Sequence, residues 1–419
     1  MLDIKFIREN KELIKQNNTN RKVTVDVDRL LELDEKKRAM TTDIETLRAK
    51  RNQGSKGKPT EEEITQMREV GESIKKQEED MLAVTTEYMD ILLQIPNLTH
   101  EKSPVGGEED FSVLETRGDT PNFPFTPKDH EALMLEKDLI DFERGAKVTG
   151  SKFYFLKKDA VRLNRALISY GIEVLTKHGY DLVETPDLAK NSILEGIGFN
   201  PRGKETQIYT LENEDISLIG TAEITIGGYH ANEILDLTDG PKKYVALSHC
   251  FRTEAGAYGR TSKGLYRVHQ FGKLEMFIFC APEDSEKMHE ELLAIEKEIC
   301  DGLGFHYQVI DIATADLGGP AYRKYDLEAF MTMKGNESSV GEFGEITSAS
   351  NCTDYQARRL NIRYKNAEGK NTFVHTLNGT AIALSRFPIA LIEQNQNEDG
   401  SISIPKVLQP YMGGQTTIQ

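Results

Sequence analysis

The sequence predicts an α+β chain in two parts: an N-terminal antiparallel helical hairpin of coiled-coil type within residues 1–105, and a mostly antiparallel sheet with flanking helices over residues 106–419. Three observations lead there. Two apolar stripes at heptad-like spacing are separated by one short polar break. The stretch Pro104-Val105-Gly106-Gly107-Glu108-Glu109-Asp110 then interrupts the chain and places a linker at residues 97–115. Beyond it, short strand-like runs alternate with separated amphipathic segments, and neither a P-loop nor a dinucleotide-binding glycine fingerprint occurs.

In the first part, Leu33, Met40, Ile44 and Leu47 form a seam in which Lys37 takes one position. Ile64, Met67, Val70, Ile74, Met81, Val84, Tyr88 and Ile95 form a second stripe. Two antiparallel helices facing each other over residues 27–96 would bury both. The break between them is the loop Asn52-Gln53-Gly54-Ser55-Lys56-Gly57-Lys58-Pro59, and Thr60 with Glu63 makes a capping box that restarts the helix. At about 1.5 Å per residue such an arm is about 40 Å long. From the residues alone it serves either to bind a partner or as a solvated coiled coil used in dimerisation.

The formal charge of −16 argues against nucleic acid binding by the whole surface, since phosphate neutralisation supplies much of such affinity. The distribution is uneven, however. Between Lys36 and Lys58 eight Lys and Arg residues face two acids, a local charge of +6 near the hairpin tip. No apolar run is long enough for a bilayer span, so no membrane partner is expected. The start Met1-Leu2-Asp3-Ile4-Lys5-Phe6 is charged in both signs, unlike a signal or transit peptide, which makes a cytoplasmic location the expectation. Cys250, Cys280, Cys300 and Cys352 include no Cys-x-x-Cys pair, so neither zinc nor a disulfide framework is expected, and buried packing is their expected role.

In the second part, Lys158 to Lys177 has helical periodicity through Val161, Leu163, Leu167, Ile168 and Ile172 and leads into the strand Asp181-Leu182-Val183-Glu184. Glu283 to Gly302 predicts a second amphipathic helix, followed by a strand over His306 to Ile312. Between them, Tyr244 to Phe251 and the alternating run around Leu274, Met276 and Ile278 predict two strands, joined by a loop that contains Phe251-Arg252-Thr253-Glu254-Ala255-Gly256 and Gly264-Leu265-Tyr266-Arg267-Val268-His269-Gln270-Phe271. Arg252 and Glu275 would then be polar groups on neighbouring strands. A guanidinium there can fork onto a carboxylate or phosphate, and a carboxylate can hold an ammonium group. An ordinary hairpin with an internal Arg/Glu pair fits those residues equally well.

The strings Phe-Arg-Thr-Glu-Ala-Gly and Gly-Leu-Tyr-Arg-Val-His-Gln-Phe resemble motif 2 of class II aminoacyl-tRNA synthetases, in the form carried by seryl-tRNA synthetases of bacterial type. The likeness runs along nearly the whole chain. Thr221-Ala222-Glu223 resembles the family's serine-pocket triplet. Glu345-Ile346-Thr347-Ser348 and Asn351-Cys352-Thr353-Asp354-Tyr355-Gln356-Ala357-Arg358-Arg359 resemble its metal-ATP segment. Leu377-Asn378-Gly379-Thr380 to Arg386 resembles motif 3, and Pro410-Tyr411-Met412-Gly413-Gly414 the C-terminal signature.

The resemblance implies a class II catalytic domain that activates L-serine with ATP and transfers it to the 3′ end of tRNA-Ser, an expectation that extends to tRNA-Sec. Neither step needs a protein nucleophile. Arg252 is implied to bridge the serine carboxylate and α-phosphate, and Arg386 to grip the γ-phosphate. Phe271 would stack on adenine, with Thr253, Glu254, Ile346 and Thr347 also at the ATP site. Glu345 and Ser348 would hold Mg²⁺, and Thr221, Ala222, Glu223, Glu275 and Thr380 would surround the serine. Arg48, Lys50, Arg51, Lys56 and Lys58 would contact the tRNA backbone, because an A-form helix hides its base edges. A homodimer joined through the helix of residues 158–177 and its following strand is implied, with no DNA partner. Departures from the family pattern fall at Gly196-Ile197-Gly198-Phe199-Asn200-Pro201-Arg202-Gly203, Gly220, Ala349 and Ala381. Two other classes remain at this point: a catalytically silent relative that binds RNA, and a ligase that charges a carrier protein.

Overall fold

The computed structural model describes residues 1–54, 60–199, 207–255 and 263–419. The chain divides into two compact units, Met1–Leu98 and Thr99–Gln419. The first opens with helices Ile4–Glu9 and Lys11–Asn20, and continues into the two long helices Val27–Gly54 and Glu61–Leu92, which pack on each other. Leu33 and Ile44 from one stripe and Val70, Ile74, Val84 and Tyr88 from the other are buried, as the heptad spacing demands. Ile64, at the start of the second stripe, is instead 55% exposed. Lys37 is tolerated in the seam because its ammonium lies 4.6 Å from the Tyr88 ring centroid, a cation–π contact that adds about 0.5–1 kcal/mol. The capping box forms as read: Thr60 Oγ1 accepts from the Glu63 N–H at 3.3 Å, and Glu63 Oε2 from the Thr60 N–H at 2.7 Å.

The second unit is organised on one eight-stranded sheet. Its strands are β1 (Ser112–Arg117), β2 (Asp181–Glu184), β3 (Lys242–Phe251), β4 (Gln270–Cys280), β5 (Tyr307–Asp311), β6 (Arg323–Met331), β7 (Glu342–Asn351) and β8 (His375–Ala383). Their spatial order is β1-β5-β6-β7-β8-β4-β3-β2. Every neighbouring pair is antiparallel except β2 with β3. β1 begins inside the stretch read as linker; it is an edge strand with a largely exposed surface, so no apolar alternation announced it. His100, Pro104 and Gly106 already hydrogen-bond within this unit, to Tyr322, Thr314 and Ala315.

β4 has no wet face. Leu274, Met276, Ile278 and Cys280 enter the main core, beneath helices Asp159–Lys177 and Ser285–Leu303. On the opposite side Phe277 and Phe279 enter a second core with Leu194, Ile224 and Ile226. Helix Ser285–Leu303 runs under β7 and β8 and ends at Gly304, whose φ of +72° suits glycine at a helix stop. Two bulges re-aim side chains on the cavity side. Ile346 is the extra residue in β7 opposite β6, between the pairs Leu327–Thr347 and Glu328–Glu345. Ala381 is the extra residue in β8 opposite β4.

Candidate active site

The period of two along a strand builds most of the site. Lys273 and Glu275 on β4 share one face, and Asn378 and Thr380 on β8 lie beside them, with Thr380 directly opposite Glu275. On β7 strict alternation would put Glu345 and Ser348, three residues apart, on opposite faces. The bulge at Ile346 cancels that, so Glu345, Ser348 and Ser350 all face cavities while Thr347 turns to helix Ser285–Leu303 and donates to Glu296 at 2.7 Å. Arg252 leaves the end of β3, and Arg386 sits at the N-terminus of helix Phe387–Gln394.

Arg252, Lys273, Glu275, Ser348, Ser350, Asn378 and Arg386 line a cavity of about 690 Å³, which adjoins a second of about 630 Å³, lined by Glu345, through the shared Arg267, Lys324 and Arg386; Thr380 is buried opposite Glu275 and lines neither. One side is cationic. Arg386 donates to Tyr266 O at 3.0 Å and to Glu345 O at 2.6 Å, and its guanidinium lies 3.9 Å from the Tyr266 ring centroid. Arg252 donates to Gly220 O at 3.3 Å and lies 5.4 Å from the Phe271 ring centroid. Arg267 pairs with Glu254 at 3.3 Å. Desolvation on the cavity floor works against charge on Glu345, but Arg386, Lys324, Arg252 and Arg267 outweigh it and hold the carboxyl below its ordinary value. Its side chain is 51% exposed to the cavity.

The other side is carboxylate-rich. Glu275 pairs with Lys273 at 2.5 Å, and burial still raises its pKa. Burial first and the neighbouring Glu275 second push Glu223 up to about 7. Glu223 Oε1 is fixed by Gln356 Nε2 at 2.8 Å and Asn378 Nδ2 at 3.1 Å, and Gln356 in turn accepts from the Thr376 hydroxyl at 2.7 Å. Thr221 caps helix Ala222–Tyr229 by accepting from the Glu223 N–H at 3.1 Å, which orients both residues toward the cavity they line.

Of the residues read from the sequence, Thr221, Glu223, Arg252, Glu254, Glu275, Ser348 and Arg386 line the larger cavity, and Glu345 lines the smaller. Ile346 is in the main core, Ala222 in the second core, and Phe271 packs on Cys250 and Val268 beneath Arg252. On the arm, Arg48 pairs with Glu78 at 2.6 Å, and Lys50 and Arg51 are exposed. Lys56, Lys58, Gly256 and residues 200–203 lie outside the described residues. Lys273 and Asn378 escaped notice although each stands two residues before a named one on the same strand face. Gln356 carried no signal beyond its string, and Lys324 stood in none. Gly220 costs no space: a Cβ there would make only ordinary contacts, the nearest at 3.6 Å. All four cysteines are buried and none is in a disulfide.

Residues 209–395 match the family described as tRNA synthetase class II core domain (G, H, P, S and T), and the antiparallel sheet with its arginine-lined cavity is the core of a class II aminoacyl-tRNA synthetase. Residues 1–99 match the seryl-tRNA synthetase N-terminal domain. The chain is 53% identical over 99% of both chains to the serine–tRNA ligase of Treponema denticola, and 52% identical to that of Dictyoglomus thermophilum over 99% of this chain and 98% of the relative. It therefore belongs to the seryl-tRNA synthetase family. Among solved structures, the Pyrococcus horikoshii seryl-tRNA synthetase complexed with ATP superposes with a TM-score of 0.89 at 39% identity, covering 100% of this chain and 99% of the other. The cytoplasmic serine–tRNA ligase of Naegleria fowleri in complex with AMP gives 0.85 at 34% identity and the same coverage.

Proposed function

We infer that this chain is a serine–tRNA ligase: it activates L-serine with ATP to seryl-adenylate, releases pyrophosphate, and transfers the seryl group to the 3′ end of tRNA-Ser. The observation that carries this reading is the opposition, in one cavity, of Arg252, Arg267 and Arg386 to Glu223 and Glu275. Cations suit a polyphosphate and carboxylates suit an ammonium group.

In the first step a serine carboxylate oxygen attacks the α-phosphorus of ATP, and the bond to pyrophosphate breaks. In the second a terminal ribose hydroxyl of the tRNA attacks the activated carbonyl and AMP leaves. Catalysis then consists of alignment and charge stabilisation. Arg252 bridges the serine carboxylate and α-phosphate, Arg386 holds the γ-phosphate, and Phe271 lies against adenine. Glu223 and Glu275 take the ammonium, while Glu275 and Thr380 read the hydroxyl. Alanine leaves those buried groups unpaired. Threonine is refused for lack of space.

Mg²⁺ fits this donor set: Glu345 is kept charged by its cationic neighbours, Ser348 adds a hard oxygen, and the ion would neutralise phosphate charge. Among the described residues no cluster of three or more His, Cys, Asp or Glu could hold a metal by itself, so ATP would supply most of its ligands. The long hairpin of residues 27–96 carries tRNA recognition through Arg48, Lys50, Arg51, Lys56 and Lys58, and residues 106–419 carry the chemistry. Exposed Leu182 on edge strand β2 and Leu247 on β3 support a homodimer face. Among the described residues no helix is long and apolar enough to cross a membrane, in keeping with a cytoplasmic site of action. The test is ATP–pyrophosphate exchange with serine, alanine, threonine and glycine. Serine alone should support it; exchange with none of them, or equally with alanine, contradicts the assignment.

A further inference from the structure

One buried cluster outside the cavity ties together the segments that frame its cationic side. His130 and Glu393 have no exposed surface. Glu393 Oε1 accepts from both the backbone N–H and Nδ1 of His130 at 2.8 Å, and Oε2 accepts from the Met333 N–H at 3.1 Å. His130 Nε2 faces the N–H of Leu265 at 3.0 Å. A backbone N–H can only donate, so Nε2 is the acceptor and the proton of the neutral ring sits on Nδ1, toward Glu393.

Leu265 begins the return from the loop after Arg252. One residue later, Tyr266 O accepts from Arg386 and its ring lies under the same guanidinium; two residues later, Arg267 lines both cavities. Arg386 is the residue before helix Phe387–Gln394, and Glu393 is inside it. A single helix thus grips consecutive residues, Leu265 through the imidazole and Tyr266 directly. The chain is shaped to admit the ring: Gly264 has a φ of +55°, and a Cβ there would overlap His130 Nε2. The adjacent ion pair of Lys263 with Asp129, the cap of helix His130–Glu136, closes the same junction at 2.5 Å.

We propose that His130, oriented by Glu393, is a positioning residue for the ATP site: its Nε2 fixes the Leu265 backbone, and through it the placement of Tyr266, Arg267 and Arg386. This rests on the ATP reading given above. Two near-isosteric variants of the full chain separate the roles of the two ring nitrogens. In His130→Asn the amide nitrogen reproduces Nδ1 and keeps Glu393, but nothing reaches Leu265. In His130→Gln the carbonyl oxygen reproduces Nε2 and keeps Leu265, but the Nδ1 donor is lost.

The readouts are the KM values for ATP and for serine in pyrophosphate exchange, with thermal unfolding alongside. His130→Asn should raise the KM for ATP on the order of tenfold, the scale expected for a buried N–H left without an acceptor, and leave the KM for serine unchanged. His130→Gln should restore the KM for ATP to within about threefold of the unaltered chain. Equal effects of the two variants, or a KM for serine that moves as much as that for ATP, overturn the inference and leave a staple of the fold. If His130→Asn does not fold, His130→Gln still decides, because a tenfold rise in its KM for ATP contradicts the proposal and a near-normal value supports it. Absence of serine-dependent exchange in the unaltered chain would overturn the ATP reading itself, and this inference with it.

Discussion

Glu223 and Glu345 are glutamates at two adjoining cavities, yet their surroundings drive them in opposite directions. Burial and Glu275 push Glu223 up to about 7, whereas four cations hold Glu345 down. The serine ammonium stays charged over this range, so protonating Glu223 removes its partner. The value of kcat/KM for serine should therefore fall by about tenfold per pH unit as the pH drops below about 7, since that quantity reports groups of the free enzyme. A profile flat down to pH values well below that contradicts the role given to Glu223. Replacing Arg386 with Ala should cost about a hundredfold or more in kcat/KM for ATP, the usual scale for one preorganised charge partner, with the fold unchanged by circular dichroism. At this scale the sequence was legible where a residue stood in a recognisable string, as Arg252 and Arg386 did, or in a clear strand alternation, as Glu275 did. His130 stood in none, and its partner lies 263 residues away, so no spacing could connect them. Thr347, although inside a quoted string, faces the helix side because of a bulge that local alternation does not announce.

Elements differ in how self-contained their signal is. The hairpin was readable because both of its stripes, its break and its capping box lie within one short stretch, and each obeys a local rule. β4 was readable as a strand but not as one buried on both faces, since that depends on what packs over Phe277 and Phe279 from elsewhere in the chain. β1 was missed because an exposed edge strand carries no stripe at all. For the arm, reversing Arg48, Lys50 and Arg51 together to Glu should raise the KM for tRNA by at least about tenfold and flatten the salt dependence of charging, because backbone contacts release counterions. Pyrophosphate exchange should be unaffected. Equal loss of both activities would show that the substitutions act on folding rather than on RNA.

The whole molecule combines a net charge of −16 with a sequence segment, residues 36–58, that carries +6, and this segment is the one proposed to meet RNA. Its two compact units match two different family descriptions, one for the helical N-terminal domain and one for the class II core. One unit is proposed to perform the chemistry of activation, and the other to supply the reach to a structured RNA. The most direct measurement compares serine-dependent ATP–pyrophosphate exchange and charging of a long-variable-arm tRNA, by the intact chain and by one in which residues 30–96 are replaced with a short link. Exchange by both, with charging by the intact chain alone, is the predicted result. Undiminished charging without the hairpin, or no exchange by the intact chain, would contradict it.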